Sequence, residues 1–447
     1  MNRALPRTFL TLLLLAAAPA APAADLLEIY QRAQQNDPTW AAAQANYRAS
    51  IEKGPQGRSL LLPTVSANAN TFRVNQDATS TVIATGVTQS GDYRYDNNGY
   101  GVQLSQPLFR VPNFAAYAQG KISVSQAEAE LTIARQDLIL RAAQAYFGVL
   151  SAQDTLEFTR TEKNAIKGQL DLAERNFAVG NGTIVDVHEA RARYDLAAAE
   201  EVLADAQLQL AREALAALIG APVESLAALS PKLPLPAPEP ADAEQWVKAA
   251  NEQNLQIQVQ QYLLDIAEEE RRKNRGGHYP TLDLVASHVY NDAGGSAFGI
   301  ASESTTNQVG LQLQVPLYQG GYVSSRVREA AAREQQTREQ LTFTRRQTAR
   351  LARDAYLAVT AGAVRVRALE QAQLSSRRAL ESTLIGYESG VRTGVDVLNS
   401  QRELYRTARD LSQARYNWLT YRLRLKSVVG TLGDADLAEA NSVLTGD

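Results

Sequence analysis

The chain has 447 residues, with 45 Lys and Arg against 48 Asp and Glu, a formal net charge of −3 and no cysteine. The balanced charge gives no basic surface for nucleic acid. The lack of cysteine excludes disulfides, thiolate metal sites and thiol nucleophiles. Length alone predicts two or three globular domains, but the residue pattern predicts a more extended organisation.

The N-terminus has the pattern of an export signal. Arg3 and Arg7 precede an apolar stretch from Thr8 to Ala18, and small residues follow it. This order predicts a signal peptide over residues 1–23, cut after Ala23. The apolar stretch is about half of the roughly 20 residues that a spanning helix needs, and no later window is uniformly apolar. The sequence therefore predicts no transmembrane helix in the mature chain.

Similar segments recur in order at a separation of about 210 to 217 residues, which indicates an internal repeat. For example, Val185-Asp186-Val187 resembles Val395-Asp396-Val397. Five prolines between residues 230 and 240 favour an extended linker. The sequence predicts a first repeat at 24–229, a Pro-rich linker at 230–240, a second repeat at 241–430 and a C-terminal tail at 431–447.

Each repeat contains two segments in which apolar residues alternate with small or polar ones, the period of a strand with one apolar face. We predict strand pairs at 63–75 with 98–109 and at 280–291 with 306–317, joined by long solvent-facing loops at 76–98 and 292–307. Aromatic residues near the strand ends are typical of a girdle at a membrane interface. A soluble sheet packed on helices is the alternative, because it shows the same alternation.

Four strands cannot close a barrel by themselves, and open sheet edges are not tolerated in lipid. Two copies would give eight strands with an interior filled by side chains, and three copies would give twelve strands with a water-filled lumen. The sequence therefore predicts an α+β membrane protein that forms an oligomer, preferably a homotrimer.

Two proline-free segments predict long helices over 113–177 and 322–387, with return helices over 183–218 and 393–430. From Leu138 to Phe177, ten of twelve positions at 4-3 spacing are apolar, which indicates a coiled-coil seam. A helix of 65 residues is about 100 Å long, which makes it a rod and not a domain core. A plain coiled-coil rod is the alternative, since heptads alone do not indicate a pore.

Each long helix ends at a glycine-containing turn that leads into the next helix. These turns contain Gly180 and Gly182 before Asp186, and Gly390 and Gly394 before Asp396. A threonine three residues before each aspartate predicts a capping box that satisfies the first free N–H groups of the return helix.

The turns also allow a second role. In a trimer each aspartate would occur three times around one axis, and rings of carboxylates select cations. Tyr387 and Arg392 lie on the same turn as Asp396 and are placed to bridge to a neighbouring hairpin. We interpret this end of the rods as a candidate gate.

The segments Gly390 to Leu398, Ala414 to Leu419 and Phe177 to Gly180, with Asp186 and Val187, resemble the TolC family of outer-membrane efflux and secretion proteins. The resemblance extends over essentially the whole mature chain. It implies a trimeric 12-stranded β-barrel in the outer membrane, in contact with outer-membrane lipid. A long α-helical coiled-coil tunnel would continue the barrel into the periplasm.

The resemblance also implies site residues and partners. The periplasmic gate would consist of links from Tyr387 and Arg392 to Asp186 and to the backbone near Val185. A selectivity ring would contain Asp396. The best-known members have a second acidic residue three positions later, where this chain has Asn399, so its ring would be less negative. The implied partners are a periplasmic adaptor (membrane fusion) protein and an inner-membrane RND or ABC transporter.

The sequence offers no constellation for an enzyme. The three histidines are isolated, with no HExxH or GxSxG pattern, and the chain has no phosphate-binding loop. We therefore predict no catalytic residues, no metal site and no cofactor. The predicted function is an exit duct that exports small toxic compounds or proteins. The alternative is a non-pore periplasmic adaptor or coiled-coil scaffold protein.

Overall fold

The computed structural model describes residues 23–223, 225–296 and 300–445. The predicted signal peptide lies almost wholly outside these residues. The elements of the first half are α1 (Leu26–Asn36), α2 (Pro38–Ile51), α3 (Lys53–Ser59), β1 (Thr64–Val82), β2 (Val87–Phe109), α4 (Val111–Ala178), α5 (Ile184–Ile219) and β3 (Ala228–Leu229). Those of the second half are α6 (Ala243–Gln253), α7 (Leu255–Arg275), β4 (Thr281–Ala293), β5 (Ser302–Gln314), α8 (Tyr322–Glu388), α9 (Gly394–Val429), α10 (Asp434–Asn441) and β6 (Leu444–Thr445).

The helices form two antiparallel hairpins that lie side by side. Helix α4 has 68 residues and α8 has 67, so each is about 100 Å long. Helix α4 packs against α5, α8 packs against α9, and α4 also packs against α9. This arrangement leaves α5 and α8 at the two outer edges of the four-helix layer. None of the helices in the described residues is both long and apolar enough to cross a membrane.

Most buried apolar side chains of the hairpins fall into two clusters, and a third, small cluster joins Leu341 of α8 to Ile257 and Leu264 of α7. The larger surrounds the middle of the rods, where α1, α6, α10 and the small β3–β6 sheet pack on them, and contains the fully buried Tyr146 and Trp418. The smaller lies nearer the turns and includes Ile166 and Leu398. A layer of buried polar side chains separates the two clusters: Thr159, Glu162, Gln401 and Thr407.

The main sheet has four antiparallel strands in the order β1-β2-β4-β5. Its register places alternate residues on two chemically different faces. The apolar face contains Val65, Val102, Leu104, Leu284, Val309, Leu311 and Leu313. The polar face contains Ser66, Asn68, Asn70, Gln103, Gln308 and Gln312. Strands β1 and β5 are the edges, each paired on one side only within the protomer.

The predicted strand ends were wrong in the first pair. Residues 76–98 are not a loop, because β1 continues to Val82 and β2 begins at Val87. These residues are polar, but they pair across the strands, as Asp96 does with Arg73 at 2.9 Å. In the second pair the connection is also shorter than predicted, with β4 ending at Ala293 and β5 beginning at Ser302. Strand β5 ends at Gln314, just before Pro316, whose nitrogen cannot donate a ladder hydrogen bond.

Candidate functional site: the hairpin turns

The two turns at the ends of the rods have the same backbone geometry. Gly180 and Gly390 adopt φ values of 81° and 74°, in the left-handed region that glycine occupies without steric cost. Each turn leads directly into a return helix, so the first side chains of α5 and α9 lie beside the ends of α4 and α8. The sequence therefore positions the four helix ends together.

Both predicted capping boxes are present. The Asp186 N–H donates to the Thr183 hydroxyl at 3.2 Å, and the Asp186 carboxylate accepts from the Thr183 N–H at 3.1 Å. The second turn repeats these bonds between Asp396 and Thr393, at 3.3 and 2.9 Å. One oxygen of each aspartate is thus committed to the cap, and the other oxygen remains for a further interaction.

The ionised form of the Asp396 carboxyl is stabilised by neighbouring groups in the turn. The backbone N–H of Thr393 contributes most, its hydroxyl also donates, and the positive charge of Arg392 adds to both, so the pKa of the Asp396 carboxyl lies below its usual range. The carboxyl is therefore ionised at neutral pH. Asn399 lies on the same helix, and Arg193 of α5 donates to its side-chain oxygen at 3.5 Å.

A cavity of about 210 Å³ lies between the two turns. Tyr387 lines it from the end of α8, and Asp186 and Glu189 line it from the start of α5. The structure thus brings two of the predicted gate residues to one cavity within a single protomer. The other predicted side chains, those of Val185, Arg392, Asp396 and Asn399, lie outside the cavity.

Arg392 lies against its own hairpin. Its backbone N–H donates to the Gly386 carbonyl at 3.0 Å. A Cβ atom built on Gly386 would lie 2.8 Å from Arg392 Cγ. Within one protomer this side chain therefore packs on the last turn of α8, and no hydrogen bond or ion pair joins it to Asp186 in the described residues.

Sequence reasoning missed Glu189 and Arg193. Glu189 lies three residues after Asp186, a spacing that places both on one helix face, so it could have been included. The contact of Arg193 with Asn399 joins residues 206 positions apart, and no local pattern indicates it. Among the described residues no group of three or more His, Cys, Asp or Glu side chains is arranged to hold a metal ion.

Comparison with known proteins identifies the family. Residues 29–221 and 246–431 each match the family described as "Outer membrane efflux protein", and together they cover most of the chain. The chain belongs to the outer membrane efflux protein family. Each match spans one half of the chain, on either side of the proline-rich segment.

Individual relatives agree with this family. The chain is 32% identical over 424 residues to outer membrane protein TolC of Vibrio cholerae serotype O1, covering 94% of each protein. It is 34% identical over 440 residues to outer membrane protein TolC of Escherichia coli (strain K12), covering 95% of this chain and 85% of the relative. It is 33% identical over 424 residues to alkaline protease secretion protein AprF of Pseudomonas aeruginosa, covering 92% and 85%.

Solved structures share the fold. The outer membrane protein VceC of Vibrio cholerae matches with a TM-score of 0.76 and 22% identity, covering 91% of this chain and 96% of that one. The CmeC outer membrane channel of Campylobacter jejuni matches with a TM-score of 0.77 and 16% identity, covering 100% and 98%. The predicted family, the TolC-like channel fold and the location in the outer membrane are confirmed. Since this is a family of channel proteins, the chain is not an enzyme.

Proposed function

We propose that this protein is the outer-membrane exit duct of an efflux pump or type I secretion system, formed by three copies of the chain. The observation that carries the proposal is the double family match over both halves. Relatives named as TolC and as protease secretion proteins support the two kinds of export. The two halves would be structural repeats of one unit, with the predicted boundaries at 24–229, 230–240 and 241–430.

The sheet supports the trimer. Its free edges, β1 and β5, run antiparallel to each other, so β5 of one copy can pair with β1 of the next. Three copies then give twelve strands and a closed barrel with no open edge in lipid. The apolar face would contact lipid and the polar face would line a water-filled lumen.

The helices support the same assembly. On α5, Leu196, Leu203 and Leu210 are spaced by seven residues and are 57%, 64% and 70% exposed in the protomer. On α8, Leu357 and Val364 have the same spacing and are also exposed. Such stripes at the two outer edges of the layer are coiled-coil seams without a partner. We infer that α5 of one copy packs against α8 of the next, which closes a tunnel.

Charge favours this pairing of helices. Helix α5 contains seven acidic residues and three arginines. The 36 residues of α8 that end at the turn, 353–388, contain five arginines and four acidic residues. Charges beside the apolar seam influence the choice of partner in coiled coils. The acidic excess of α5 disfavours α5 against α5 between copies, whereas the nearly balanced α8 accepts it.

The turns would then form the periplasmic gate. Tyr387 and Asp186 share a cavity within the protomer, which supports their proposed link near Val185. Arg392 packs on its own hairpin, so we infer that its guanidinium reaches its acidic partner only in the assembled trimer. Asp396, ionised at neutral pH, would form the selectivity ring, with Asn399 as a neutral position.

The partners follow from the proposed function. The chain would dock with a periplasmic adaptor protein and an inner-membrane RND or ABC transporter, because the sequence contains no nucleotide-binding loop to supply energy. We infer no nucleic-acid partner and no cofactor. The adaptor or scaffold alternative finds no support in the family match.

Conductance in a planar bilayer tests the proposal. We expect a small, long-lived conductance for the purified protein and a severalfold larger one for Arg392→Ala, because the gate loses a link. Arg424→Ala is the matched control, since Arg424 is an exposed arginine on the same helix hairpin but far from the turns. No conductance in any of the three proteins, despite insertion, would refute the duct.

A further inference from the structure

Strands β1 and β2 extend well beyond the rest of the sheet. Strand β2 pairs with β4 only between Asn97 and Phe109. Beyond that point, ten β1–β2 pairs from Arg73 with Asp96 to Val82 with Val87 form a two-stranded extension, here called the mouth ribbon (residues 73–96). At about 3.3 Å per residue the ribbon is ~33 Å long. A lone hairpin is only marginally stable in water, so we expect a ribbon of this length to pack against another surface.

The chemistry of the two faces reverses where the ribbon begins. Below it, the face that would contact lipid is apolar, as at Val65 with Leu104, and the lumen face is polar, as at Ser66 with Gln103. In the ribbon, the continuation of the lipid face carries polar and charged pairs: Arg73 with Asp96, Asn75 with Arg94, and Asp77 with Asp92. The continuation of the lumen face carries Val74 with Tyr95, Gln76 with Tyr93, and Ala78 with Gly91.

This reversal shows which face avoids water. The charged face is exposed, whereas Val74, Tyr93 and Tyr95 are half-buried even in a single protomer. Gly294, which follows β4, contacts the base of the ribbon, because its N–H donates to the Asp96 carbonyl at 2.8 Å. A Cβ atom on Gly295 would lie 2.8 Å from Tyr95 Cβ, so Gly295 covers the inner face of the ribbon at this residue.

Higher up, the Tyr93 ring covers the smallest residue pair of the inner face. Ala78 stands opposite Gly91, and the Tyr93 Cζ atom lies 2.9 Å from where a Cβ atom on Gly91 would stand. The ring therefore fills the space over Gly91, and the surface at this level is the tyrosine ring beside the Ala78 methyl group. Both are apolar, and the short Ala78 side chain lets a neighbouring ribbon contact the ring.

The ribbon is long enough to reach its own copies. Twelve strands spaced by about 4.8 Å and tilted by about 40° give a barrel of roughly 12 Å radius. The ribbon is more than twice that length, and about four residues suffice to reach the axis. Copies leaning inward would therefore meet near Gln76 and Ala78.

We propose that the inner faces of three mouth ribbons pack against one another and form a lid over the outer mouth of the barrel. The inference rests on the proposed trimer but concerns the opposite end of the duct from the gate. Its partner is a second copy of this chain. Packing the inner faces together removes the tyrosine rings from water and leaves the charged faces on the outside.

Cysteine cross-linking tests the lid without background, because the chain has no cysteine. Ala78→Cys places a thiol on the inner face, and Thr79→Cys places one a single residue away on the outer face. We expect oxidation of intact trimers to link most Ala78→Cys chains in pairs and to leave Thr79→Cys chains unlinked. Oxidised Ala78→Cys channels that also carry Arg392→Ala should conduct severalfold less, with recovery on reduction.

Equal linking at both positions, or none at Ala78→Cys in intact trimers, would overturn the lid. A pore that conducts while Ala78→Cys stays unlinked would remove the lid and leave the proposed duct intact. Loss of both the trimer and the conductance in the reduced protein would overturn the lid together with the duct.

Discussion

A buried ion pair joins the two helical hairpins. Glu162 on α4 is 3% exposed, and Arg409 on α9 donates to its carboxylate at 2.7 Å. The pair lies in the polar layer between the two apolar clusters. Removing one partner of a buried pair typically costs 3–5 kcal/mol because the other charge is left uncompensated. Since the Arg409 side chain is 23% exposed, water reaches it, and we expect Arg409→Ala to cost about 3 kcal/mol per chain.

The cost should depend on pH. Burial raises the pKa of Glu162, and the hydrogen bond and charge of Arg409 lower it only in part. A raised folded-state pKa means that the stability contribution is present at low pH and is lost as pH rises through that pKa. Arg409→Ala removes the lowering effect and raises the pKa further. The loss of unfolding free energy in Arg409→Ala should therefore be largest at pH 8. It should be smaller at pH 5, where Glu162 is protonated more easily and a neutral carboxyl group costs less to bury.

Thermal unfolding of the detergent-purified protein, followed by circular dichroism of the helices, measures this effect. We expect Arg409→Ala to lower the Tm by about 4 °C at pH 8 and by less than half of that at pH 5. Glu162→Leu with Arg409→Leu should regain the loss, because apolar replacements of a buried pair are neutral or stabilising. An equal loss of Tm at both pH values, or a double variant with a lower Tm than Arg409→Ala, would show that the buried charge of Glu162 is not the cause.

Three further predictions concern other contacts. Asp37 is almost fully buried, caps α2 by accepting from the Trp40 N–H at 2.9 Å and pairs with Arg141 at 2.7 Å. Asp37→Ala should lower the free energy of unfolding by about 2–3 kcal/mol, measured by thermal unfolding. Asp137→Ala, which removes an exposed partner of the same arginine, should lower it little. Although burial raises the pKa of Asp37, hydrogen bonds from Arg141 and Trp40 lower it overall, so this contribution should be lost as pH falls through the lowered value. Gly430→Ala would place a Cβ atom 2.5 Å from the Gln253 carbonyl oxygen, whereas Gly390→Ala meets nothing within 4 Å, and both positions have positive φ. The free energy of unfolding should therefore fall by only about 1–2 kcal/mol for Gly390→Ala, whereas both yield and Tm should fall strongly for Gly430→Ala. Leu203→Asp should dissociate the trimer in size-exclusion chromatography with light scattering, while Gln209→Asp, an exposed position on another face of α5, should leave it assembled.

The long helices were predictable from sequence because their signal is repeated many times. Heptad spacing over dozens of residues leaves little freedom, and the predicted ends of all four hairpin helices lie within two residues of the observed ones. The turns were equally clear, since glycine followed by a threonine and aspartate pair defines both the break and the new helix start. The ends of the four hairpin helices were therefore predictable from the residue types in and beside the turns.

The mouth ribbon was missed for an identifiable reason. The period-two pattern does not stop at Arg73 but shifts by one residue, from Val65, Ala67 and Ala69 to Phe72 and Val74. A prediction that follows one apolar face ends where the alternation shifts by one residue, although the chain is β-strand on both sides of that point. Contacts such as Glu162 with Arg409, 247 residues apart, have no local pattern at all and become visible only when the hairpins are packed.

The proposed strand and helix interfaces between copies together fix one register. A one-residue slip of β5 against the neighbouring β1 would turn Val309 and Leu311 into the lumen, so only even slips keep the lipid face apolar. A two-residue slip moves the copies by about 7 Å along the strand. The leucine stripe on α5 repeats every seven residues, which is about 10.5 Å of helix. Because these two distances do not match, a slipped barrel would leave Leu203 facing the wrong turn of α8. The helix contacts between copies therefore select one of the strand registers that the barrel alone would allow.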